Sequence, residues 1–264
     1  MVAVLVNYCS NESAFIRPLL DQCSMFSSDI VVSYGSHLYD GTPEDQGHIA
    51  SLRSMYPTVQ FVEYPVDTSI DLYRQRGVRS RPTAYWHNLA RWTGAQALRS
   101  NGWVFVIDAD EVPDGKLVKE WLGRRLSYLK PNECYKVATY WYFKSPVFRS
   151  TTLEDSILLI HSSHLTEANV FGDYERDHLI PASGCTLRRN TRGLNGAVMW
   201  HHYSWVRSRP QLVHKVKNWA HANDLFKGAD AQAIADSIFK TDEPNDIVHR
   251  YSYDRVPNHL GINV

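Results

Sequence analysis

The sequence lacks several features that would assign it to a specialised class of protein. No apolar run approaches the roughly 20 residues that a membrane-spanning helix needs, and the N-terminus has no basic segment followed by a long apolar one. The 28 basic and 28 acidic residues cancel, so there is no excess positive charge of the kind that general nucleic-acid binding requires. We therefore expect a soluble, cytoplasmic protein with no transmembrane segment and no nucleic-acid partner.

Cysteine is also scarce. The chain contains four cysteines, none in a Cys-x-x-Cys pair: Cys9, Cys23, Cys134 and Cys185. Their wide spacing favours neither a disulfide framework nor a zinc site, and reduced thiols are the simpler interpretation. The triplet from Asn11 to Ser13 matches the N-glycosylation pattern. Because it follows the first predicted strand, in a loop expected to hold the functional site, we discount it as a glycan site.

The first part of the chain alternates apolar runs with amphipathic segments. Predicted strands cover Val2 to Asn7, Asp29 to Tyr34, Val59 to Tyr64 and Trp103 to Ile107, and predicted helices cover Ser13 to Met25, Gln46 to Met55 and Pro82 to Leu98. Asn11 or Ser13 is the expected cap of the first helix. This order is typical of a doubly wound, Rossmann-like half. We predict one α/β domain over residues 1–264, with a nucleotide-binding half in 1–114.

The second half, residues 115–264, has a less regular pattern. Predicted helices cover Gly115 to Leu129, Pro210 to Phe226 and Ala229 to Phe239, and a long aromatic strand covers Glu133 to Phe143. Residues 150–200 indicate shorter strands and loops, and the C-terminus is a polar tail that contains proline.

The most informative motif is VFVIDADEVPD, residues 104–114. Its apolar start predicts a strand buried on both faces of a parallel or mixed sheet. Ligands bind beyond the carboxyl ends of such strands, and Asp108 and Asp110 share one side of the extended chain there. Clustered carboxylates repel unless a cation lies between them, and oxygen ligands suit Mg²⁺ or Mn²⁺. The spacing fits metal-assisted phosphate chemistry, although Asp-x-Asp alone occurs by chance about once in a chain of this length.

Several segments together resemble a glycosyltransferase of the type A fold (GT-A): VNYCSNESAF near the N-terminus, HNLARWTGAQAL before the acidic strand, and VFVIDADEVPD itself. The segment His202 to Trp205, followed by Lys215 and His221, is similar to a pattern of the bisecting N-acetylglucosaminyltransferase family, glycosyltransferase family 17. Asp108 to Pro113 matches that family's Asp-x-Asp-Glu-x-Pro sequence. The resemblance implies a Rossmann-like mixed sheet flanked by helices. It also implies transfer of a sugar from a nucleotide-sugar donor, UDP-linked by default, to a hydroxyl of a glycan or other acceptor.

The resemblance further implies that Asp110 is a direct ligand of Mn²⁺ or Mg²⁺ and that Asp108 contacts the ribose or a water on the metal. A metal there suits the reaction, because a Lewis acid stabilises the charge that develops on the leaving diphosphate. His202 is the candidate third protein ligand. Its neighbour His201 is expected on the opposite face of an extended segment. Glu111 either orders the metal loop or faces the acceptor.

The nucleotide is expected at the carboxyl ends of the first two strands and beside the helix that precedes the acidic strand. The residues assigned to it are Asn7, Asn11, Glu12, Ser33, Gly35, Asn88 and Arg91. Bracing of the metal loop is the alternative role of Arg91. Lys215 and His221 are candidates for the diphosphate, but they do not share a helix face well, and a solvated face is the alternative. The four arginines of RQRGVRSR, residues 74–81, suit phosphate oxygens or a solvated loop.

The sequence gives fewer indications of the catalytic base and of the acceptor contacts. An inverting transfer, which the resemblance implies, needs a carboxylate that accepts the proton of the acceptor hydroxyl. The candidates lie in FGDYERDHL: Asp173, Glu175 and Asp177. In the aromatic strand, the residues from Tyr140 to Phe143 alternate between faces. One pair can therefore meet a sugar ring while the other enters the core, and burial of both pairs is the alternative.

Three other classes share part of this pattern. A phosphatase of the haloacid dehalogenase type places its Asp-x-Asp after the first strand and follows it with Gly-Thr, whereas here the motif comes late and precedes Glu111. A sugar nucleotidyltransferase needs a glycine-rich, arginine-containing loop where this chain has NYCSNES. A non-catalytic carbohydrate-binding module explains the aromatic residues but does not need the buried acidic strand. The balance favours the transferase.

Overall fold

The computed structural model describes residues 2–39, 41–66, 82–172, 176–218 and 228–264. Its strands are β1 (Val2–Tyr8), β2 (Asp29–Gly35), β3 (Gln60–Tyr64), β4 (Trp103–Asp108), β5 (Glu111–Pro113), β6 (Glu133–Phe143), β7 (Phe148–His161), β8 (Thr186–Thr191), β9 (Trp200–Trp205) and β10 (Tyr253–Arg255). Its α-helices are α1 (Ser13–Cys23), α2 (Gln46–Met55), α3 (Pro82–Gln96), α4 (Gly115–Arg125), α5 (Glu167–Val170), α6 (Leu179–Ser183), α7 (Arg209–Asn218) and α8 (Ala231–Phe239). Short 3-10 helices include Ser10–Glu12 and Arg176–His178.

The described strands form a mixed ten-stranded sheet in the order β3-β2-β1-β4-β7-β6-β9-β5, with β8 paired to β6 and β10 paired to β7. Strands β1 to β4 are parallel, and β7 runs antiparallel to β4. Both halves of the chain therefore contribute strands to the same sheet. The predicted α/β class, with a Rossmann-like mixed sheet flanked by helices, is confirmed.

The central strand β1 shows why this sheet is buried on both faces. Val2, Val4 and Val6 belong to the apolar cluster that includes α1, whereas Ala3 and Leu5 belong to the cluster on the other face. The period of two in a strand produces this division, and a parallel inner strand must be apolar on both sides.

Helix α3 packs closely against the second face of the sheet. A Cβ atom at Gly94 would lie 2.2 Å from Leu5 Cδ1 and 2.2 Å from Ser33 Oγ. Glycine is therefore required at this point of the helix, where the backbone approaches β1 and β2 directly.

The clearest difference from the predicted elements is β7. Residues 150–200 indicate shorter strands and loops, yet Phe148–His161 is a strand of 14 residues. Only its end, Ile157 to Ile160, is continuously buried, between β4 and β6. The preceding STTLED segment is polar and partly exposed, and pairing with β6 and β10 supplies its partners. Tertiary pairing thus overrides a polar sequence that favours a loop.

Smaller differences concern helix ends. The N-cap of α1 is Glu12, and its side chain makes no capping hydrogen bond, so the predicted cap at Asn11 or Ser13 is wrong. A 3-10 turn leads directly into the helix instead. The helices predicted to reach Met25, Leu98 and Leu129 end at Cys23, Gln96 and Arg125. Within the described ranges, no helix combines the length and apolar character needed to cross a bilayer.

Candidate active site

A cavity of about 370 Å³ lies at the carboxyl ends of β1, β2 and β4. Its lining includes eight residues singled out from the sequence: Asn7, Asn11, Glu12, Gly35, Asp108, Asp110, His202 and Lys215. These residues come from both halves of the chain and converge where ligands bind in open α/β sheets.

Asp108 is the last residue of β4 and is paired in register with Asn7 of β1. Its Oδ1 accepts a hydrogen bond from Arg91 Nη2 at 3.3 Å and from Asn7 Nδ2 at 3.5 Å, and its Oδ2 lies 3.9 Å from Arg176 Nη1. Burial raises the pKa of Asp108, but Arg176 and Arg91 outweigh burial and lower it to about 2. The carboxylate is therefore ionised at neutral pH.

Asp110 is buried at the centre of a cluster of basic side chains. Its Oδ2 lies 2.9 Å from Arg207 Nη2 and 3.7 Å from Lys215 Nζ, whereas its Oδ1 lies 3.5 Å from His202 Nε2. Burial raises the pKa of Asp110, but His202, Lys215 and Arg207 hold it well below its usual range. Burial lowers the pKa of His202, yet the neighbouring carboxylates of Asp110 and Glu154 raise it to about 10. The two carboxylate oxygens thus face different partners.

Arg207 is a site residue that the sequence motifs do not indicate. It is 2% exposed, and its guanidinium lies 4.8 Å from the ring centroid of Phe15. Its Nη2 donates to both Glu12 Oε1 at 3.0 Å and Asp110 Oδ2 at 2.9 Å. Burial and the charge of Asp110 raise the pKa of Glu12 to about 8, although Arg207 lowers it. Arg207 therefore ties the loop after β1 to the acidic loop after β4.

Glu111 orders the acidic loop and does not face an acceptor. It is completely buried, and both carboxylate oxygens bind Arg176, at 2.6 Å from Nη1 and 2.7 Å from Nη2. Glu111 Oε2 also accepts the backbone N–H of Asp108 at 2.8 Å, and Arg176 Nη1 donates to the carbonyl of Val106 at 3.1 Å. The pair therefore fixes the backbone at the end of β4. Arg176, like Arg207, has no local sequence signal.

Three residues assigned to the nucleotide lie behind the cavity wall. Ser33 is completely buried, with its hydroxyl against Gly94 of α3, so its assignment to the nucleotide is wrong. Asn88 is buried and donates to the carbonyl of Gly172 at 3.2 Å, while its Oδ1 accepts from Arg91 Nη1 at 3.4 Å. Asn88 and Arg91 therefore support Asp108 from within the core, and bracing is the role that the geometry gives Arg91.

The candidates for the base have different outcomes. Asp177 follows Arg176 in the 3-10 helix but does not line the cavity, and its side chain is 64% exposed. Lys136 Nζ donates to its Oδ1 at 2.7 Å, so Asp177 is wrong as the base. Burial raises the pKa of Asp177, but the ion pair with Lys136 lowers it overall, which also weakens it as a base. Asp173, Glu175, His221 and the segment 74–81 lie outside the described residues.

Strands β6 and β9 place aromatic and imidazole side chains together. Trp141 is opposite His202 in the parallel register, and the two rings are perpendicular, with centroids 4.8 Å apart. Both residues line the cavity. On the other face, the hydroxyl of Tyr142 lies 2.9 Å from Nδ1 of the buried His201. The predicted division of the two neighbouring histidines between opposite faces is confirmed.

We expect His201 to make the protein sensitive to acid. Burial lowers the pKa of His201 to about 4, whereas a histidine in an unfolded chain titrates near 6.5. As the pH falls from about 6.5 to about 4, the unfolded chain therefore binds a proton that the folded chain does not. His201 should therefore lower the free energy of unfolding through this window by up to about 3 kcal/mol, a contribution opposed by Glu12, whose raised pKa makes the folded chain take up a proton as the pH falls below about 8. Urea unfolding at pH 7 and pH 4.5, in EDTA, measures the change.

The variant His201→Gln tests this origin, because glutamine does not titrate but can still accept the hydrogen bond of Tyr142. Relative to the unaltered protein, the free energy of unfolding of this variant should be higher at pH 4.5 than at pH 7, whereas replacement of the half-buried His164 by glutamine should leave the difference between the two pH values unchanged. Equal pH dependence in the unaltered protein and in His201→Gln would contradict the assignment.

Asp110 and His202 offer one oxygen and one nitrogen donor to a divalent ion. Within the described part of the chain, no group of three or more His, Cys, Asp and Glu side chains is already gathered as a metal cluster. Asp110 Oδ1 and His202 Nε2 are 3.5 Å apart. Neighbouring ligands of one octahedral ion lie about 3 Å apart, because metal–ligand bonds of about 2.1 Å meet at right angles. This pair fits a divalent ion with little movement, and Asp108 opens onto the same cavity.

Comparison with known proteins finds similarity at the level of structure. No protein-family model matches the chain, and no curated protein sequence matches it. Glucosyl-3-phosphoglycerate synthase from Mycobacterium tuberculosis, in complex with Mn²⁺, uridine diphosphate and phosphoglyceric acid, aligns at 16% identity over 98% of this chain and 88% of that chain, with a TM-score of 0.46. The same synthase with Mg²⁺ and uridine diphosphate aligns at 19% identity over 53% of this chain and 43% of that chain, with a TM-score of 0.33.

A further similar structure is GalNAc-T7 with UDP, GalNAc and Mn²⁺, at 8% identity over 85% of this chain and 48% of that chain, with a TM-score of 0.48. The similarity is one of fold. In two of these three alignments the chain covers less than half of the other structure.

Proposed function

We propose that the chain is a metal-dependent glycosyltransferase of the type A fold. It moves a sugar from a UDP-linked donor to a hydroxyl of a glycan or other acceptor, with inversion at the anomeric carbon. The observation that carries the proposal is the pair Asp108 and Asp110 at the end of β4, in one cavity with Arg207, Lys215 and His202. Acids alone suit a cation, and acids beside fixed cations suit a metal together with an anionic ligand.

The two oxygens of Asp110 suggest how the site divides. Oδ1 faces His202, so Mn²⁺ or Mg²⁺ would be held on that side by Asp110 and His202, with Asp108 at the ribose or a metal-bound water. Oδ2 faces Arg207 and Lys215, so the diphosphate oxygens would lie on that side. When bound, the ion supplies Lewis-acid stabilisation of the leaving diphosphate.

The chain's own cations would stabilise the same leaving group. Lys215 is held by a hydrogen bond of 3.0 Å from Nζ to Ser204 Oγ, and Arg207 is fixed over Phe15. Cations that are already in position cost little reorganisation when the electron pair of the anomeric C–O bond moves to the diphosphate. Their buried setting strengthens the interaction relative to water.

The nucleoside would occupy the part of the cavity formed by the ends of β1 and β2. Asn7, Asn11, Tyr39 and Tyr64 line this part, and they offer polar groups and aromatic rings to a base and its ribose. A Cβ atom at Gly35 would lie 2.7 Å from both the carbonyl of His37 and Val66 Cγ2, so this wall tolerates no larger residue. We assign residues 1–114 to the donor and residues 115–264 to the acceptor, in one catalytic domain.

The proposal predicts that a nucleotide sugar stabilises the protein only when Mn²⁺ is present. A ligand that binds only the folded state, at 100 times its Kd, adds about 2.7 kcal/mol. The melting temperature should then rise by roughly 5 to 10 °C. Thermal unfolding with UDP-glucose, UDP-galactose, UDP-N-acetylglucosamine and UDP-N-acetylgalactosamine, each in Mn²⁺ and in EDTA, measures this. Hydrolysis of p-nitrophenyl phosphate without any shift by the UDP-sugars would contradict the proposal and favour a phosphatase.

The variant His202→Ala tests the metal ligand. Removal of one protein ligand should raise the Kd for Mn²⁺ by at least about tenfold, a typical cost of disturbing a metal site. Calorimetric titration of Mn²⁺ into the protein with UDP present gives this Kd. The matched control is His259→Ala, at an exposed position. An unchanged manganese requirement in His202→Ala would remove His202 from the metal site.

A further inference from the structure

Glu154 of β7 faces two imidazole rings at the cavity. Its Oε1 is 3.6 Å from Nε2 of His249, and its Oε2 is 3.9 Å from Nδ1 of His202. The indole of Trp141 stands between the two rings and is perpendicular to both, with centroid distances of 4.7 Å to His249 and 4.8 Å to His202. One carboxylate and one indole therefore lie against both histidines.

The turn that carries His249 lies in a polar tail but is fixed by several hydrogen bonds. It is built around the buried Asp246, whose carboxylate accepts four hydrogen bonds: from the backbone of Val248, His249 and Tyr251 and from the hydroxyl of Tyr253. The next residue, Arg250, has φ 59°, a left-handed conformation that costs a non-glycine residue roughly 1 kcal/mol. Strain that is retained in an otherwise fixed turn is typical of functional sites.

We propose that His249 is the catalytic base of the transfer and that Glu154 is a positioning residue that orients it. This inference rests on the proposed function. His249 lines the cavity, and its side chain is 35% exposed. Because Nε2 is directed to Glu154, Nδ1 is the nitrogen that meets the acceptor. A carboxylate behind a histidine fixes its tautomer and stabilises the imidazolium that forms.

The step balances with groups already named. The oxygen of the acceptor hydroxyl forms a bond to the anomeric carbon while the bond from that carbon to the diphosphate oxygen breaks. The electron pair of the broken bond leaves with the diphosphate, towards Lys215 and Arg207. The hydroxyl proton passes to Nδ1 of His249 and from there to solvent.

The carboxylates that line the cavity are bound by arginines: Glu12 and Asp110 by Arg207, and Asp108 by Arg91. Glu111 is bound by Arg176, and Asp177 is paired with Lys136 outside the cavity lining. His249 instead lines the cavity beside Trp141 of β6, with ring centroids 4.7 Å apart. That position suits a group that acts on the acceptor.

The test uses the full chain with each of the four UDP-sugars named above, Mn²⁺ and a pool of p-nitrophenyl glycosides, and it measures UDP release. In His249→Ala, turnover should fall at least about 100-fold, since general bases contribute about 10² to 10⁴. The Kd for UDP with Mn²⁺ should stay within about threefold, because donor contacts are retained. Added imidazole should restore part of the turnover. His161→Ala, at the far end of the same strand as Glu154, is the control and should behave as the unaltered protein.

At saturating Mn²⁺, which offsets any effect of Glu154 on the metal site through His202, Glu154→Gln should lower kcat about tenfold with the KM for acceptor unchanged. Under the same conditions it should add nothing to His249→Ala, because residues that act as a unit are not additive. Turnover in His249→Ala within about threefold of the unaltered protein, or a loss that imidazole does not relieve, would overturn the base assignment alone. A further loss in the double variant would overturn the role of Glu154. Absence of any transfer by the unaltered protein would overturn the proposed function together with this inference.

Discussion

Asp110→Asn should abolish sugar transfer and manganese-dependent donor binding while the fold is retained. Asparagine keeps the shape of the side chain but removes the charge that faces His202 on one side and Arg207 and Lys215 on the other. Both the metal and the balance of charge around the diphosphate depend on that carboxylate. We expect turnover to fall by at least roughly 10³-fold, the scale seen when a preorganised electrostatic group is removed. UDP release measures turnover, and calorimetry with UDP and Mn²⁺ measures binding.

The fold should survive because Arg207 keeps a second partner. Its Nη2 is 3.0 Å from Glu12 Oε1, so the loss of Asp110's charge does not leave the buried guanidinium alone. A suitable control is Asp155→Asn, since the partner of Asp155 is the exposed Arg189 and such surface pairs contribute little. Normal turnover of Asp110→Asn at saturating Mn²⁺ would show that Asp110 is not a metal ligand.

The fold of the first half can be predicted from the sequence because its strands are buried on both faces. The segments at Val2–Tyr8, Asp29–Gly35 and Trp103–Asp108 are apolar runs of strand length, and covering helices come between them. The position of Asp108 and Asp110 follows directly, because residues that end such strands meet at one edge of the sheet. The acidic motif therefore belongs to the part of the site that local pattern can predict.

The basic residues of the site cannot be predicted from the sequence in the same way. Arg207 contacts Glu12 across 195 residues of sequence, and Arg176 contacts Glu111 across 65. Nothing in the neighbourhood of either arginine marks it as buried, because only the folded chain supplies the carboxylates that make burial of a guanidinium tolerable. Sequence motifs thus indicate the acids but not the cations that hold them.

His249 and Glu154 are two further residues that local sequence pattern does not mark as part of the site. Glu154 lies in the polar part of β7, whose sequence pattern predicts a loop. His249 lies in a tail without hydrophobic periodicity. The proposed role of each follows only from its tertiary contacts with residues of β6 and β9. Ser33 is the reverse case, because it belongs to a strand whose end does reach the cavity, yet its own side chain faces α3. The register within a sheet decides such positions, and a single sequence leaves that register open.

Arg176→Met should have the largest effect on stability. The variant removes both hydrogen bonds to Glu111, at 2.6 and 2.7 Å, and leaves a completely buried carboxylate without its cation. Breaking a buried pair from one side costs about 3 to 5 kcal/mol, because the remaining charge is neither solvated nor paired. For a chain of this size the melting temperature should fall by roughly 10 °C. Urea and thermal unfolding measure the two quantities.

The double variant Glu111→Gln with Arg176→Met separates burial of charge from loss of packing. It should recover a large part of the lost stability, because no ionised group then remains buried without a partner. Arg188→Met, which removes an exposed arginine from Glu133, should leave the melting temperature nearly unchanged. Equal losses of stability in Arg176→Met and Arg188→Met would contradict the proposed contribution of the buried pair to the free energy of unfolding.

Arg176→Met should also weaken manganese binding at temperatures well below its melting temperature, because Glu111 Oε2 accepts the backbone N–H of Asp108. Arg188→Met should leave manganese binding unchanged.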